Sequence, residues 1–201
     1  QTVRGLLALA VALMALSSHS APDLGQPAWP THELSDKSPG RVNIGTRMGV
    51  LRDESRVQSL EQVRHEEQSW QTIDRRTPNF GFTHDAFWFR FQINNTTDQP
   101  LTRLVELPIP FLDDVQLFQF VGVQLKKSYA TGDEKPYAMR VIRHPNFVMP
   151  LELAPGLNQI YLRLASSGSI EGSLRVWDPV TFQESSNTES LLQGSLLGVL
   201  L

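Results

Sequence analysis

Three short stretches of this chain set aromatic and polar side chains two residues apart, Trp88, Arg90 and Gln92; Tyr161 and Arg163; Arg175 and Trp177, and a fourth sets Asn146 two residues from Val148. In a strand, successive side chains point to opposite sides, so each set lies on one face. A solvated face ordinarily carries Lys, Glu, Thr and Ser. Tryptophan and arginine suit a surface that something covers. Aromatic rings stack on sugar faces, and the same residues anchor protein interfaces. The candidate ligand-binding residues are therefore Trp88, Arg90, Arg143, Asn146, Tyr161, Arg163 and Trp177. The plain alternative is packing beneath loops or beneath the N-terminal segment 21–41. Arginine grips a carboxylate or sulfate with two parallel hydrogen bonds, so an anionic or hydroxyl-rich ligand fits this set best.

A second candidate is a calcium ion on a sandwich rim, held by Asp113 and Asp114 just before a strand, with Asp85 as a further oxygen donor. Calcium takes six to eight oxygens, and the competing explanation is turn chemistry with solvated charge. Enzyme signatures are scarce. His84 and Asp85 look like a dyad, but neighbours on a strand face opposite ways. The phosphate-binding loop, the serine-hydrolase elbow, the zinc-protease helix and the dinucleotide-binding glycine pattern are all missing. With no cysteine, a disulfide, a thiolate metal site and a cysteine nucleophile are excluded. Glycan hydrolysis needs two acids facing each other across a groove, and Asp113 and Asp114 are chain neighbours. The expectation is a non-catalytic domain with no cofactor apart from that calcium.

What positions these residues is a run of short strands. The two-residue period holds over 86–94, 102–107, 114–120, 125–130, 146–153, 158–165 and 172–177, with turn signals between, and residues 42–51 form a candidate first strand. One face collects Phe87, Phe89, Phe91 and Ile93; Phe147, Met149, Leu151 and Leu153; Ile160, Leu162 and Leu164; and Leu174 and Val176, which make the expected core. Ser59 with Gln62 spells a capping box for a short helix ending near Glu67, and Trp70 follows on a short strand. A second short helix is expected over 181–186. Many short strands with regular turns mean an all-β sandwich or barrel. The 201 residues carry a net charge of −3 and are 40% hydrophobic, which suits one globular domain and argues against a nucleic-acid binder.

Both ends read differently. Residues 1–20 have one charge, Arg4, then an apolar run from Leu6 to Leu16, and the small residues Ser17, Ser18, Ser20 and Ala21 follow, the order of a signal peptide. Residues 21–41, punctuated by proline, read as an extended arm or linker. Residues 42–180 are the sandwich and 181–189 a juxtamembrane linker. The uncharged tail 190–201, rich in leucine, reads as the start of a first transmembrane helix.

Three motifs carry a resemblance: Asn79-Phe80-Gly81-Phe82-Thr83-His84-Asp85-Ala86-Phe87-Trp88-Phe89-Arg90-Phe91, Leu112-Asp113-Asp114-Val115, and Arg143-His144-Pro145-Asn146-Phe147-Val148-Met149-Pro150-Leu151. Together they resemble the type 2 extracellular sensor domain of bacterial seven-transmembrane receptors with diverse intracellular signalling modules (7TMR-DISMED2), over roughly residues 44–180. The resemblance implies a jelly-roll β-sandwich like that of carbohydrate-binding modules, with one or two short helices. It implies a periplasmic domain of an inner-membrane protein in a Gram-negative bacterium. The ligand would be a carbohydrate or another small periplasmic molecule, and the membrane a partner through the helices that follow. The implied output is a histidine kinase, often hybrid, or a diguanylate cyclase. The alternative function is a dimerisation or protein-interaction module, with the Trp/Arg surface buried against another copy or a second receptor.

Overall fold

A computed structural model of the chain describes residues 29–45, 47–65, 70–73 and 78–199. The expected signal peptide, residues 1–20, lies outside them. Thirteen strands and two α-helices follow in order: β1 (Thr31–Leu34), β2 (Arg41–Asn43), β3 (Met48–Asp53), α1 (Leu60–His65), β4 (Gln71–Ile73), β5 (Asn79–Phe82), β6 (Ala86–Asn95), β7 (Leu101–Leu107), β8 (Asp114–Val121), β9 (Gln124–Thr131), β10 (Phe147–Leu153), β11 (Gly156–Ala165), β12 (Ser169–Glu171), β13 (Arg175–Trp177) and α2 (Pro179–Val199).

The strands build an all-β sandwich. One sheet runs β4-β3-β6-β11-β8-β9, with β1 pairing β6 in parallel beyond the end of β3; the other runs β10-β7-β13-β2, and β12 pairs β5 in a small ribbon. The alternation read from the sequence decides what faces inward. Phe87, Phe89, Phe91 and Ile93 of β6 meet Phe147, Met149, Leu151 and Leu153 of β10 in one core, together with Ile160, Leu162 and Leu164 of β11, Leu174, and Val176 of β13. Burying each such side chain contributes roughly 1.5–3 kcal/mol, so the inter-sheet layer dominates stability.

Some boundaries differ from expectation. Residues 42–51 are not one strand. The chain turns after Asn43, whose side chain accepts from the Gly45 amide, and Arg47 N–H donates to Ile44 O. That turn moves the chain from one sheet to the other, so β2 and β3 lie in opposite layers. The described part of segment 21–41 is more than an arm, because β1 within it is a sheet strand. Helix α2 is longer than the expected 181–186. It starts on an Asp178 cap, whose carboxylate accepts from the Val180 and Thr181 amides, with Pro179 at the first helical position. No helix among the described residues is long and apolar enough to cross a membrane.

The parallel docking of β1 carries a pH dependence. His32 Nε2 bonds the Arg47 carbonyl oxygen at 3.0 Å, and its ring sits edge-on to Phe91. Burial holds the imidazole below its ordinary pKa; the bond to Arg47 O opposes this and the Arg47 charge adds to it. As pH falls, the unfolded chain therefore takes up this proton before the folded one does. Stability is full above the unfolded pKa, about 6.5, and declines as pH drops from there toward the folded value. Thermal unfolding of the parent and of His32→Asn, compared from about pH 7.5 to about pH 5.5, should show a flatter slope in the variant. Equal slopes would mean that His32 is not the titrating group.

Candidate functional site

The outward face of the seven-stranded sheet is a grid. The β6–β11 and β11–β8 registers align Trp88 with Arg163 and Gln116, Arg90 with Tyr161 and Phe118, and Gln92 with Gln159 and Phe120. Residues two apart on one strand lie about 7 Å apart on the same side. Gly49 of β3 stands beside Arg90, and a Cβ there would come within 3.0 Å of Arg90 Cγ and 3.4 Å of Trp70 Cε3. A bare glycine at this position therefore leaves the room in which Arg90 and Trp70 pack.

Helix α1 lies across this grid. Its capping box forms as the sequence spells it: Ser59 N–H donates to Gln62 Oε1 at 2.7 Å, and Gln62 N–H donates to Ser59 Oγ at 3.3 Å. Val63 is its buried residue and packs with Leu51, Trp88, Phe120 and Tyr161; Trp29, Leu60, Trp70 and Phe118 close the cluster. Two guanidinium groups are fixed on aromatic faces here. Arg90, 6% exposed, lies between Trp29 (4.8 Å) and Trp70 (4.5 Å), and Arg64 lies 4.0 Å above Phe120. Such stacking holds an arginine in place at little entropic cost. Between them is Tyr161, whose ring meets Trp29 edge-on. Burial pushes the Tyr161 hydroxyl up in pKa, while Arg64, by charge and hydrogen bonding, and Arg90, by charge, pull it back.

Two clefts open beside α1. One, of about 410 Å³, is lined by Trp29, Arg64, His65, Arg90, Gly122, Val123, Gln159 and Tyr161. The other, of about 510 Å³, lies where Ser59–Glu61, Trp88, Phe118, Gln116 and Arg163 meet. Both volumes fall in the range of small-molecule sites.

The seven residues singled out in the sequence do not converge. Trp88, Arg90, Tyr161 and Arg163 share the grid. Trp177 lies on the outer face of the other sheet with Leu104, Val148 and Phe182. Asn146 joins it there, donating to Glu106 Oε1 at 2.6 Å, and Arg143 is exposed on the preceding loop. Alternation says which side of its own strand a residue takes, but not which of the two sheets holds the strand. Within the grid Trp88 is 1% exposed, and Arg163 is paired with Asp114 at 2.7 Å and with Arg56 O at 2.8 Å. Trp29, Arg64, Trp70, Phe118 and Gln159 were missed. Gln159 and Phe118 stand on the same alternating faces as Tyr161 and Gln116, so that pattern held their signal. Trp29 and Trp70 lie outside any periodic run.

The three acids named for calcium are not brought together. Asp85 accepts from Thr83 and is ion-paired with Arg52, partners that hold its pKa below the ordinary value. Asp113 accepts from Ser166 Oγ and Ser167 N–H, and Asp114 from Gln116, Lys135 and Arg163. Among the described residues no cluster of three or more metal-ligating side chains exists.

Comparison with known proteins places the fold in context. The model of the family described as 7TMR-DISM extracellular 2 matches residues 45–178, two-thirds of the chain and nearly all of the sandwich. No curated protein matches the chain.

Proposed function

The chain belongs to the 7TMR-DISM extracellular 2 family, the sensor domains that seven-transmembrane receptors present outside the membrane, and from that premise we propose that it senses an anionic, hydroxyl-rich ligand on the outer face of its seven-stranded sheet. The observation that carries the reading is the lining of the cleft at the C-terminal end of α1. Among the described residues it holds two guanidiniums, an imidazole, a tyrosine hydroxyl, an amide and an indole, and no carboxylate. Guanidinium pinned on an aromatic face is preorganised for a carboxylate or sulfate, and the tyrosine and Gln159 supply hydrogen bonds to hydroxyls. A carbohydrate bearing an acidic group satisfies both demands. The receptor's output, by the family resemblance, is a histidine kinase or a diguanylate cyclase in a Gram-negative inner membrane.

Arg64 is the residue to test, because it reaches the cleft without holding the core. Titration calorimetry of the purified chain against sugar acids and sulfated sugars should find a binder. Arg64→Gln should weaken it by about 10- to 100-fold, the value of a charge-assisted hydrogen bond, while the thermal midpoint of the free protein stays close to the parent's. If no anionic sugar binds, and the chain instead associates with itself in a concentration-dependent way, the face is an interface between receptors.

A further inference from the structure

We infer that the ligand is an extended oligosaccharide, acidic at one end, that occupies both clefts along α1 at once. The inference rests on the reading just given and adds the length and polarity of the ligand. Both clefts border α1, one at its start and the other at its end. The first is walled by Ser59, Leu60 and Glu61 at the helix start and by Leu125 of β9; the second by Arg64 and His65 at the helix end and by Gly122 and Val123 in the turn between β8 and β9. Their floors are consecutive rows of the same grid. Trp88 and Arg163 belong to one row, and Arg90 and Tyr161 to the next, about 7 Å further along the strands. That spacing is on the scale of one sugar ring, so a single ring fills one cleft and a linked pair reaches both.

The chemistry differs between the ends. In the first cleft Arg163 is already ion-paired with Asp114, and the wall carries one charge of each sign, Glu61 and Arg56. What remains is an aromatic and amide surface. Phe118 lies on Trp88 nearly parallel, with ring centroids 6.2 Å apart, and Gln58 and Gln116 stand beside the pair. Two buried polar atoms of this wall, Gln58 Oε1 and Trp88 Nε1, have no hydrogen-bond partner among the described residues. Buried polar groups are nearly always paired. One of these atoms is an acceptor and the other a donor, and a hydroxyl answers either. A neutral, hydroxyl-bearing ring with an apolar face suits this end, and the anionic group suits the end with Arg64 and Tyr161.

Calorimetry with four probes tests the inference: free hexuronic acid, a neutral hexose disaccharide, and a disaccharide and a trisaccharide each carrying one terminal hexuronate. The acidic oligosaccharides should bind at least about 10-fold more tightly than either of the other two, as expected when a second subsite adds one good contact. Phe118→Ala should bring their affinity down to that of free hexuronate without changing the latter. Gln58→Met, which disturbs packing less, should act in the same direction. Arg64→Gln should bring them down to the level of the neutral disaccharide. Free hexuronate that binds as tightly as the oligosaccharides, with Phe118→Ala and Gln58→Met silent, overturns the extended ligand and leaves the anion site standing. A neutral disaccharide that binds as tightly as the acidic one overturns the polarity. Failure of all four probes removes both the extended ligand and the anion site.

Discussion

Replacing Phe89 with alanine should lower the stability of the domain by about 3–5 kcal/mol, the usual cost of emptying a buried phenylalanine site. Phe89 is 0% exposed, at the middle of β6, with strands hydrogen-bonded on both sides. Its ring meets Phe80 at 5.8 Å, and it leans on Gly172, where an added Cβ would come within 3.0 Å of Phe89 Cε1. Surroundings built this closely on both sides have little freedom to collapse into a cavity, so the cost falls toward the upper part of the range. At about 2–4 °C per kcal/mol for a domain of this size, the melting temperature should drop by about 10 °C or more. Gln92→Ala is the control. It lies on the same strand but on the outer face, where its side chain accepts one hydrogen bond, from Thr31 Oγ1, at 3.1 Å. Its substitution should cost about 1 kcal/mol or less. Equal midpoint shifts in the two variants would mean that β6 presents the opposite face to the core.

Such a contrast between neighbours was legible in the sequence because a period of two is a local property. Every residue from Phe87 to Ile93 declares its side through its own strand. The same is true of the capping box at Ser59 and Gln62, which needs only four residues of chain. Other features depend on partners far along the sequence. Trp88 and Trp177 look alike as outward aromatics, yet β6 and β13 belong to different sheets, and no local pattern records which strands pair. Parallel pairing of Thr31–Leu34 with β6 has no turn to announce it. The cleft beside Arg64 draws on Trp29, Arg64, Arg90, Gln159 and Tyr161, from four separate segments. Only the three on β6 and β11 stood in an alternating run. Arg64 was readable as part of an amphipathic helix, but its placement over Phe120 follows from how α1 crosses the sheet.

The outer face of the four-stranded sheet carries the other large effect. Glu106 on β7 is 3% exposed and accepts from Trp177 Nε1 at 2.7 Å, from Asn146 Nδ2 at 2.6 Å and from Arg175 at 3.4 Å. One carboxylate thus ties β13, β7 and the entry to β10 together directly beneath α2. Phe182 in the first turn of that helix packs on Trp177, with ring centroids 5.7 Å apart, and on His144, at 5.2 Å. Glu106→Ala leaves the Trp177 indole N–H buried and unpaired, takes the acceptor from the half-buried Asn146 amide and strips Arg175 of its counter-ion. Removing one partner of a buried charged pair costs about 3–5 kcal/mol. Arg175 keeps partial access to water, which places the expected loss near about 3 kcal/mol. Glu106→Gln retains an acceptor of the same shape and should cost about 1–2 kcal/mol. The local consequence is more telling than the global one. With the carboxylate gone, Trp177 loses the bond that fixes its ring, and Phe182 loses a fixed surface. Hydrogen exchange of the amides over 182–186 should therefore accelerate in Glu106→Ala beyond what the loss of global stability produces, and the same excess should appear in Phe182→Ala. Phe89→Ala supplies the comparison, because it weakens the core without touching this face. If α2 exchanges no faster in Glu106→Ala than in Phe89→Ala at matched stability, the carboxylate stabilises the sheet alone and does not hold the helix against it.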